Sequence, residues 1–214
     1  MIQSLSVGPI GENVYIVESA GAPVVVVDPG AEPRRILAAV IASVGRSSAT
    51  NVVVALTHGH LDHVAALPGL LEGLAAAGIP ARTYAPEGDR DYFGAKAEET
   101  NRRVFADIHA TAFFAKHWVP IPEADEYFGD GFALPGTDIV ALHTPGHTRG
   151  SSCFLAEGAS SLLAGDTLFR DGRGRTDNFD ADEATIVHSI RERLCPLHDA
   201  VRVWPGHGEQ TTIG

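Results

Sequence analysis

The segment HGHLDH at residues 58–63 constrains the fold of this chain more than any other feature. It comes directly after an apolar run at 51–57 that predicts a buried strand, and a helical pattern of leucines at 67–74 follows it. The carboxyl end of a strand is where α/β folds place their functional sites. Gly59 permits a tight turn there, so that neighbouring side chains can converge. The segment therefore predicts an α/β fold with a site at this strand end.

Four residues of this segment carry groups that bind metal ions: His58, His60, Asp62 and His63. Imidazole nitrogen and carboxylate oxygen suit zinc, iron or manganese. One histidine alone is usually a surface or core residue, but that explanation does not account for so many ligands in so short a segment. Two metal ions would explain why so many ligands are crowded here.

Three more candidate metal ligands lie in the same setting. Each follows a predicted apolar strand, or the turn after one, and each stands beside a glycine. His147 lies in TPGHTRGS at 144–151, Asp166 in AGDTLF at 164–169, and His207 in WPGHG at 204–208. Each is weak evidence when taken singly. Together with the first segment they complete a set of seven candidate ligands.

Strand and helix signals alternate along the chain, which predicts a layered α/β domain. Besides the helix that begins at Leu67 and ends at Gly78, two helices are expected here, one after Pro33 with apolar residues at 36–44 and one at 183–194 that Asp180 caps. The remaining strands are expected at 13–17, 24–27, 138–143, 152–155, 161–164 and 200–204.

The segment 87–126 is harder to interpret. Residues 97–116 predict one helix with a stripe that includes Val104, Phe105 and Phe113, and further aromatic residues lie nearby. The stripe is compatible with a helix that faces the core, with a lid over the site, or with a contact in a homodimer.

Composition limits the function classes. The 214 residues carry 16 Lys+Arg against 27 Asp+Glu, a formal net charge of −11, which argues against nucleic acid as a partner. That length predicts a single domain over 1–214. No run is long and apolar enough for a membrane span, and the N-terminus does not read as a signal peptide, so we expect a cytoplasmic protein. Cys153 and Cys195 are expected to be two reduced, packed thiols.

The motifs HxHxDH, TPGHTxGS, GDTLF and PGHG, in this order, resemble those of the metallo-β-lactamase-fold hydrolases, and the VDPG at 27–30 is similar to the opening turn of that family. The resemblance runs from about residue 13 to 214. It implies a four-layer αββα sandwich and two divalent metal ions, with zinc as the first expectation and iron or manganese as alternatives. No other cofactor is expected.

The resemblance also implies residue roles. A first metal would be bound by His58, His60 and His147, a second by Asp62, His63 and His207, with Asp166 bridging the two. A hydroxide between the metals would attack a carbonyl, with Asp62 and Asp166 as the catalytic carboxylates. Around this centre, Asp28 is expected to hold its own turn by hydrogen bonds and to lie, with Arg175 and Asp177, in the shell of residues behind the metal ligands. Arg175 and Asp177 are expected to brace the loop behind the metals or to orient a ligand.

The GRTD at 174–177 resembles the glyoxalase II-like (hydroxyacylglutathione hydrolase-like) branch, and we expect a member of it that lacks the C-terminal helical domain. This implies hydrolysis of small, glutathione-type thioesters. The alternatives are a persulfide dioxygenase, with one iron held by His58, His147 and Asp166, and a lactonase that uses the same metal pair. In each case the expected partner is a small-molecule substrate.

Overall fold

Two β-sheets organise the part of the chain that the computed structural model describes, residues 1–158 and 160–214. The first sheet has six strands that lie side by side in chain order: β1 Ile2–Val7, β2 Glu12–Val17, β3 Val24–Val27, β4 Val52–Ala55, β5 Ala81–Pro86 and β6 Glu126–Phe128. The second has five strands in reverse chain order: β11 Thr211–Thr212, β10 Arg202–Pro205, β9 Ser161–Gly165, β8 Ser152–Ala156 and β7 Val140–His143.

The helices pack on the outer faces of these sheets. They are α1 Pro33–Ser47, α2 Leu61–Val64, α3 Leu67–Ala76, α4 Ala97–Asp107, α5 Thr111–His117 and α6 Glu183–Ser189. Short 3-10 segments at Glu87–Tyr92 and Gly94–Lys96 precede α4, and a π-helical turn at Ile190–Leu194 follows α6. Within 1–158 and 160–214, none of the helices combines the length and the apolar character needed to cross a bilayer.

Alternation along the strands divides the apolar side chains among three cores. In β3, Val24 and Val26 face the core shared with α1, α3, α4 and α5, whereas Val25 and Val27 face the core between the two sheets. In β9, Leu163 faces the core between the sheets, and Leu162 faces a third core beneath the C-terminal helical segment. Because three apolar interfaces separate four layers, the predicted αββα sandwich is confirmed.

The single helix expected over 97–116 was wrong. The chain forms α4 and α5, separated at 108–110, where His109 has a φ of 56°. The Ala110 amide donates to the Phe105 carbonyl at 2.8 Å, which ends the first helix. The break folds the aromatic stripe back on itself, so that the Phe105 and Phe113 rings stack at 5.5 Å. Phe105 and Phe113 pack in or against the core between the first sheet and its helices. A role of this segment as a lid or a dimer contact stays a prediction.

The expected helix cap was also wrong. Asp182, not Asp180, caps α6 by accepting a hydrogen bond from the Thr185 amide at 2.7 Å. Asp180 instead accepts hydrogen bonds from the Tyr92 hydroxyl and pairs with the Arg149 guanidinium. The Asp180 carboxylate, which local spacing assigns to the helix cap, therefore binds side chains that are distant in the sequence.

The seven predicted strands are present with boundaries shifted by up to two residues, and β1, β5, β6 and β11 were missed. In β1, the segment IQSLSV alternates, but only its last residue is fully buried. Such edge strands are held by pairing with β2 rather than by a continuous apolar run, so their sequences give a weak signal.

The two cysteines are free, but only Cys153 is packed; Cys195 is exposed, which corrects the expectation for that residue. Burial raises the pKa of the Cys153 thiol to about 11. At pH 8 its thiolate fraction is then about one thousandth, and the thiolate is the reactive form.

We therefore expect iodoacetamide to alkylate Cys195 in the native protein and to leave Cys153 unmodified. Mass spectrometry of the native protein should find one adduct, and the same treatment in guanidinium chloride should find two. Rapid double labelling without denaturant would contradict the packing of the third core.

Candidate metal centre

The strand directions bring the seven candidate ligands to one edge of the sandwich. Strands β7, β9 and β10 run in the same direction in the second sheet, so their carboxyl ends meet. The Ser152 amide donates to the Thr57 carbonyl at 2.9 Å and joins this edge to the end of β4 in the first sheet. The loops at this edge carry all seven: His58, His60, Asp62 and His63 after β4, His147 after β7, Asp166 after β9 and His207 after β10.

One group consists of His58, His60 and His147. Their ligand atoms lie within 4.8 Å of one another, and their ring centroids are 4.6 to 4.9 Å apart. The Nε2 atom of each ring is buried without a hydrogen-bond partner among the described residues. Three converging imidazoles of this kind can hold a cation.

A second group consists of Asp62, His63 and His207, and its ligand atoms also lie within 4.8 Å of one another. The Asp62 Oδ2 atom is 3.2 Å from His207 Nε2 and 3.6 Å from His63 Nε2. This group is the more open one, because the His207 side chain is 23% exposed.

Asp166 lies between the two groups. Its Oδ1 atom is 3.3 Å from His63 Nε2, and its Oδ2 atom is 3.6 Å from His147 Nε2 and 3.7 Å from His207 Nε2. One carboxylate thus faces members of both groups. Gly206 makes this approach feasible, because a Cβ atom there would lie 2.2 Å from Asp166 Oδ1.

The charges differ between the groups. Burial and repulsion from neighbouring imidazoles lower the pKa of His58 well below its usual range, and burial lowers that of His60 to about 3. Burial also opposes charge on His63, but the Asp166 and Asp62 carboxylates outweigh it and raise the pKa of that ring. The first group therefore presents neutral imidazoles with free lone pairs, whereas the second pairs a carboxylate with imidazoles whose protonated form is favoured.

Asp28 reaches from its own turn to the residues of the centre. Its carboxylate accepts hydrogen bonds from the Thr57 amide at 2.7 Å and the Thr57 hydroxyl at 2.6 Å, and its Oδ2 atom is 3.1 Å from His63 Nδ1. The Thr57 hydroxyl is also 3.0 Å from His58 Nδ1. Contacts to the Nδ1 atoms fix the orientation of both rings and leave Nε2 to face the centre.

Arg175 contacts the centre through its backbone. Its carbonyl oxygen is 2.9 Å from His147 Nδ1, and its guanidinium forms a two-pronged ion pair with the Asp177 carboxylate, both side chains being largely exposed. Gly174 permits this close approach, because a Cβ atom there would lie 2.8 Å from His147 Nδ1.

Several residues at the site were missed by the sequence analysis. The Asn13 side-chain amide donates to the Pro205 carbonyl at 3.0 Å and the Gly208 carbonyl at 2.9 Å, and so holds the loop that carries His207. Glu12 is 1% exposed, its Oε1 atom is 3.9 Å from His63 Nδ1, and burial raises its pKa well above the usual range. The one feature of the sequence that could have indicated these two residues is their position, since both are polar and stand at the start of an apolar strand.

Comparisons with known proteins agree with this architecture. A family model described as the metallo-beta-lactamase superfamily matches residues 7–207. The hydroxyacylglutathione hydrolase GloC of Haemophilus influenzae is 32% identical, over 100% of this chain and 93% of that protein. The probable metallo-hydrolase YqgX of Bacillus subtilis is 30% identical, over 98% of this chain and 90% of that protein.

A solved structure, TTHA1623 in a di-iron-bound form, superposes with a TM-score of 0.76 at 32% identity and covers 99% of this chain and 94% of that one. The family match, over residues 7–207, includes all seven residues, and it agrees with the four-layer fold and the histidine-rich groups. The chain therefore belongs to the metallo-beta-lactamase superfamily of metal-dependent hydrolases.

Proposed function

We propose that this protein hydrolyses small glutathione-type thioesters with the help of two divalent cations. The observation that carries the proposal is a set of buried polar atoms with no hydrogen-bond partner among the described residues: Nε2 of His58, His60, His63 and His147, and Oδ1 of Asp166. Buried polar atoms are rarely left unpaired, because the loss of hydration is costly. Nitrogen and oxygen atoms that converge in this way fit divalent cations.

We assign one cation to His58, His60 and His147 and the other to Asp62, His63 and His207. Asp166 is shared between them. Zinc suits this donor set, and iron and manganese suit it as well. The di-iron form of TTHA1623 supports iron as the first alternative.

When bound, the cations supply a water of lowered pKa and stabilise negative charge that develops on a carbonyl oxygen. The chain's own residues orient the reacting groups. Burial alone would raise the pKa of Asp62, but His63 and His207 hold it below its usual range. The Asp62 carboxylate is therefore ionised and available to orient the attacking water.

The substrate class rests on the relative named hydroxyacylglutathione hydrolase, which is similar over the whole of this chain and is itself 93% covered by it. A protein of about this length therefore carries that name. The completeness of the second group favours a two-metal hydrolase over a dioxygenase with one iron, which would not need Asp62, His63 and His207 together.

The test is hydrolysis of S-D-lactoylglutathione by purified protein of known metal content. We expect saturable turnover that a chelator abolishes and that added Zn²⁺, Fe²⁺ or Mn²⁺ restores. Mutation of the exposed His188 to alanine is the matched control for changes at ligand histidines and should leave turnover unchanged.

Negligible turnover by protein that holds two metals would contradict the thioesterase proposal. Oxygen consumption with glutathione persulfide and iron would then support the dioxygenase. Ring opening in a panel of lactones would support the lactonase.

A further inference from the structure

Asp89 is a fully buried carboxylate that touches none of the seven proposed ligands. It lies in the 3-10 segment after β5 and is 0% exposed. Its Oδ2 atom accepts hydrogen bonds from the Gly59 amide at 2.9 Å and the Thr148 hydroxyl at 2.8 Å, and its Oδ1 atom accepts one from the Gly150 amide at 2.7 Å. Three donors thus converge on one side chain.

These donors belong to the two loops that carry the first group. Gly59 lies between His58 and His60, and Thr148 directly follows His147. The first loop follows a strand of the first sheet and the second follows a strand of the second sheet. Asp89 is therefore hydrogen-bonded to both halves of a group whose members are distant in sequence.

The segments around Asp89 are tightly packed. A Cβ atom on Gly88 would lie 2.7 Å from the Cα atom of Gly150, and one on Gly59 would lie 2.2 Å from the Cβ atom of Tyr92. The Thr148 hydroxyl is itself fixed by Ser151 Oγ at 2.8 Å. With so little free space, a change in the hydrogen bonds of Asp89 has to move one loop relative to the other.

We propose that Asp89 is a positioning residue for the first metal: it sets the separation between the loop of His58 and His60 and the loop of His147. The inference rests on the ligand assignment of the proposed function. It follows because a buried carboxylate accepts from both loops at once, and because outer-shell partners of metal ligands control metal affinity. Removal of the carboxylate also leaves buried donors unpaired, which favours displacement of the loops.

The test compares metal affinities in two backgrounds. In His207→Ala protein the first group binds the remaining metal, and in His58→Ala protein the second group does. Adding Asp89→Asn, which keeps the size and removes one acceptor oxygen, should weaken Zn²⁺ binding about 10- to 100-fold in the first background. In the second background we expect Zn²⁺ affinity to stay within about threefold, since additivity holds where no partner is shared.

The affinities can be measured by competition with a chromophoric chelator, without reference to turnover. Asp125→Asn is the control: the Asp125 carboxylate, although more exposed than that of Asp89, also accepts several hydrogen bonds, from the Thr83 amide at 2.7 Å and the Thr83 hydroxyl at 2.8 Å, and it is hydrogen-bonded to none of the seven residues. Its loss should lower the Tm and leave both affinities unchanged. Thr148→Val removes one of the three hydrogen bonds to Asp89 and should cause a smaller loss of Zn²⁺ affinity at the first group. If Asp89→Asn does not fold, this second variant tests the positioning role.

Wild-type Zn²⁺ affinity of Asp89→Asn in the His207→Ala background would overturn the inference and leave the proposed function intact. Equal weakening in both backgrounds would also overturn it, because the role would then be general stability. A wild-type protein that fails to bind two metals contradicts the proposed function instead.

Discussion

Replacing Asp166 with alanine is expected to lower kcat/KM for the thioester by at least about 1000-fold, or about 4 kcal/mol of transition-state stabilisation. Asp166 is the carboxylate whose oxygens face His63, His147 and His207, which belong to both groups. Burial alone would raise its pKa, but His63 and His147 hold it below the usual range, so the side chain is negative at neutral pH. Alanine removes both the proposed shared ligand and this charge.

Metal content should fall together with the rate. We expect the wild type to hold two metal ions after loading and Asp166→Ala to hold one or fewer, as measured by elemental analysis after gel filtration. The control is Asp138→Ala, which removes an exposed carboxylate that accepts a hydrogen bond from the Gly158 amide far from the seven residues. Turnover by Asp166→Ala within tenfold of the wild type would contradict the shared-carboxylate arrangement.

Replacing Gly30 with alanine is expected to disable the second group through packing alone. Gly30 is buried, and a Cβ atom there would lie 1.8 Å from the Asp62 carbonyl oxygen and 2.5 Å from Glu12 Oε2. The contact with backbone cannot be relieved by a side-chain rotation, so α2, which carries Asp62 and His63, has to move. A displacement of about 1 Å at a reacting group can cost about 100-fold in rate.

We therefore expect Gly30→Ala to lose at least about 100-fold in kcat/KM and about 1–3 kcal/mol in the free energy of unfolding. Chemical denaturation and thioester assays measure the two effects. Gly45→Ala is the matched control, because a Cβ atom on Gly45 in α1 would meet no atom within 4 Å. It should keep full activity and gain up to about 1 kcal/mol of stability. A Gly30→Ala protein with wild-type turnover would show that α2 can shift without cost.

The local sequence was sufficient to predict a strand or a site residue wherever a short apolar run or a dense motif determined it. The strand at 24–27 was predicted with its bounds, since four valines buried on both faces give a continuous signal. Four of the seven site residues lie within six positions of one another, and the other three each stand beside glycine near a strand end. The family resemblance supplied their grouping and the order of the layers.

Other features depend on contacts between distant segments. The helix breaks at His109, which has a left-handed backbone conformation, and the phenylalanines of the two resulting helices pack together. The helical periodicity of residues 97–116 continues through this break, so the sequence pattern does not reveal it. Asp180 has the spacing of a helix cap, but its carboxylate instead accepts a hydrogen bond from the Tyr92 hydroxyl. Local spacing cannot anticipate a partner that is 88 residues away.

The sequence by itself determined the fold class, the apolar strands and the identity of the seven candidate ligands, because each depends on neighbouring residues or on a motif. Only the tertiary structure decided how Asp28 and Asp89 connect the loops that carry those ligands. Their hydrogen bonds join residues from 29 to 61 positions apart. A buried carboxylate binds whichever donors the fold brings to it, and those donors are fixed by the packing of two sheets rather than by the residues beside the carboxylate in the chain.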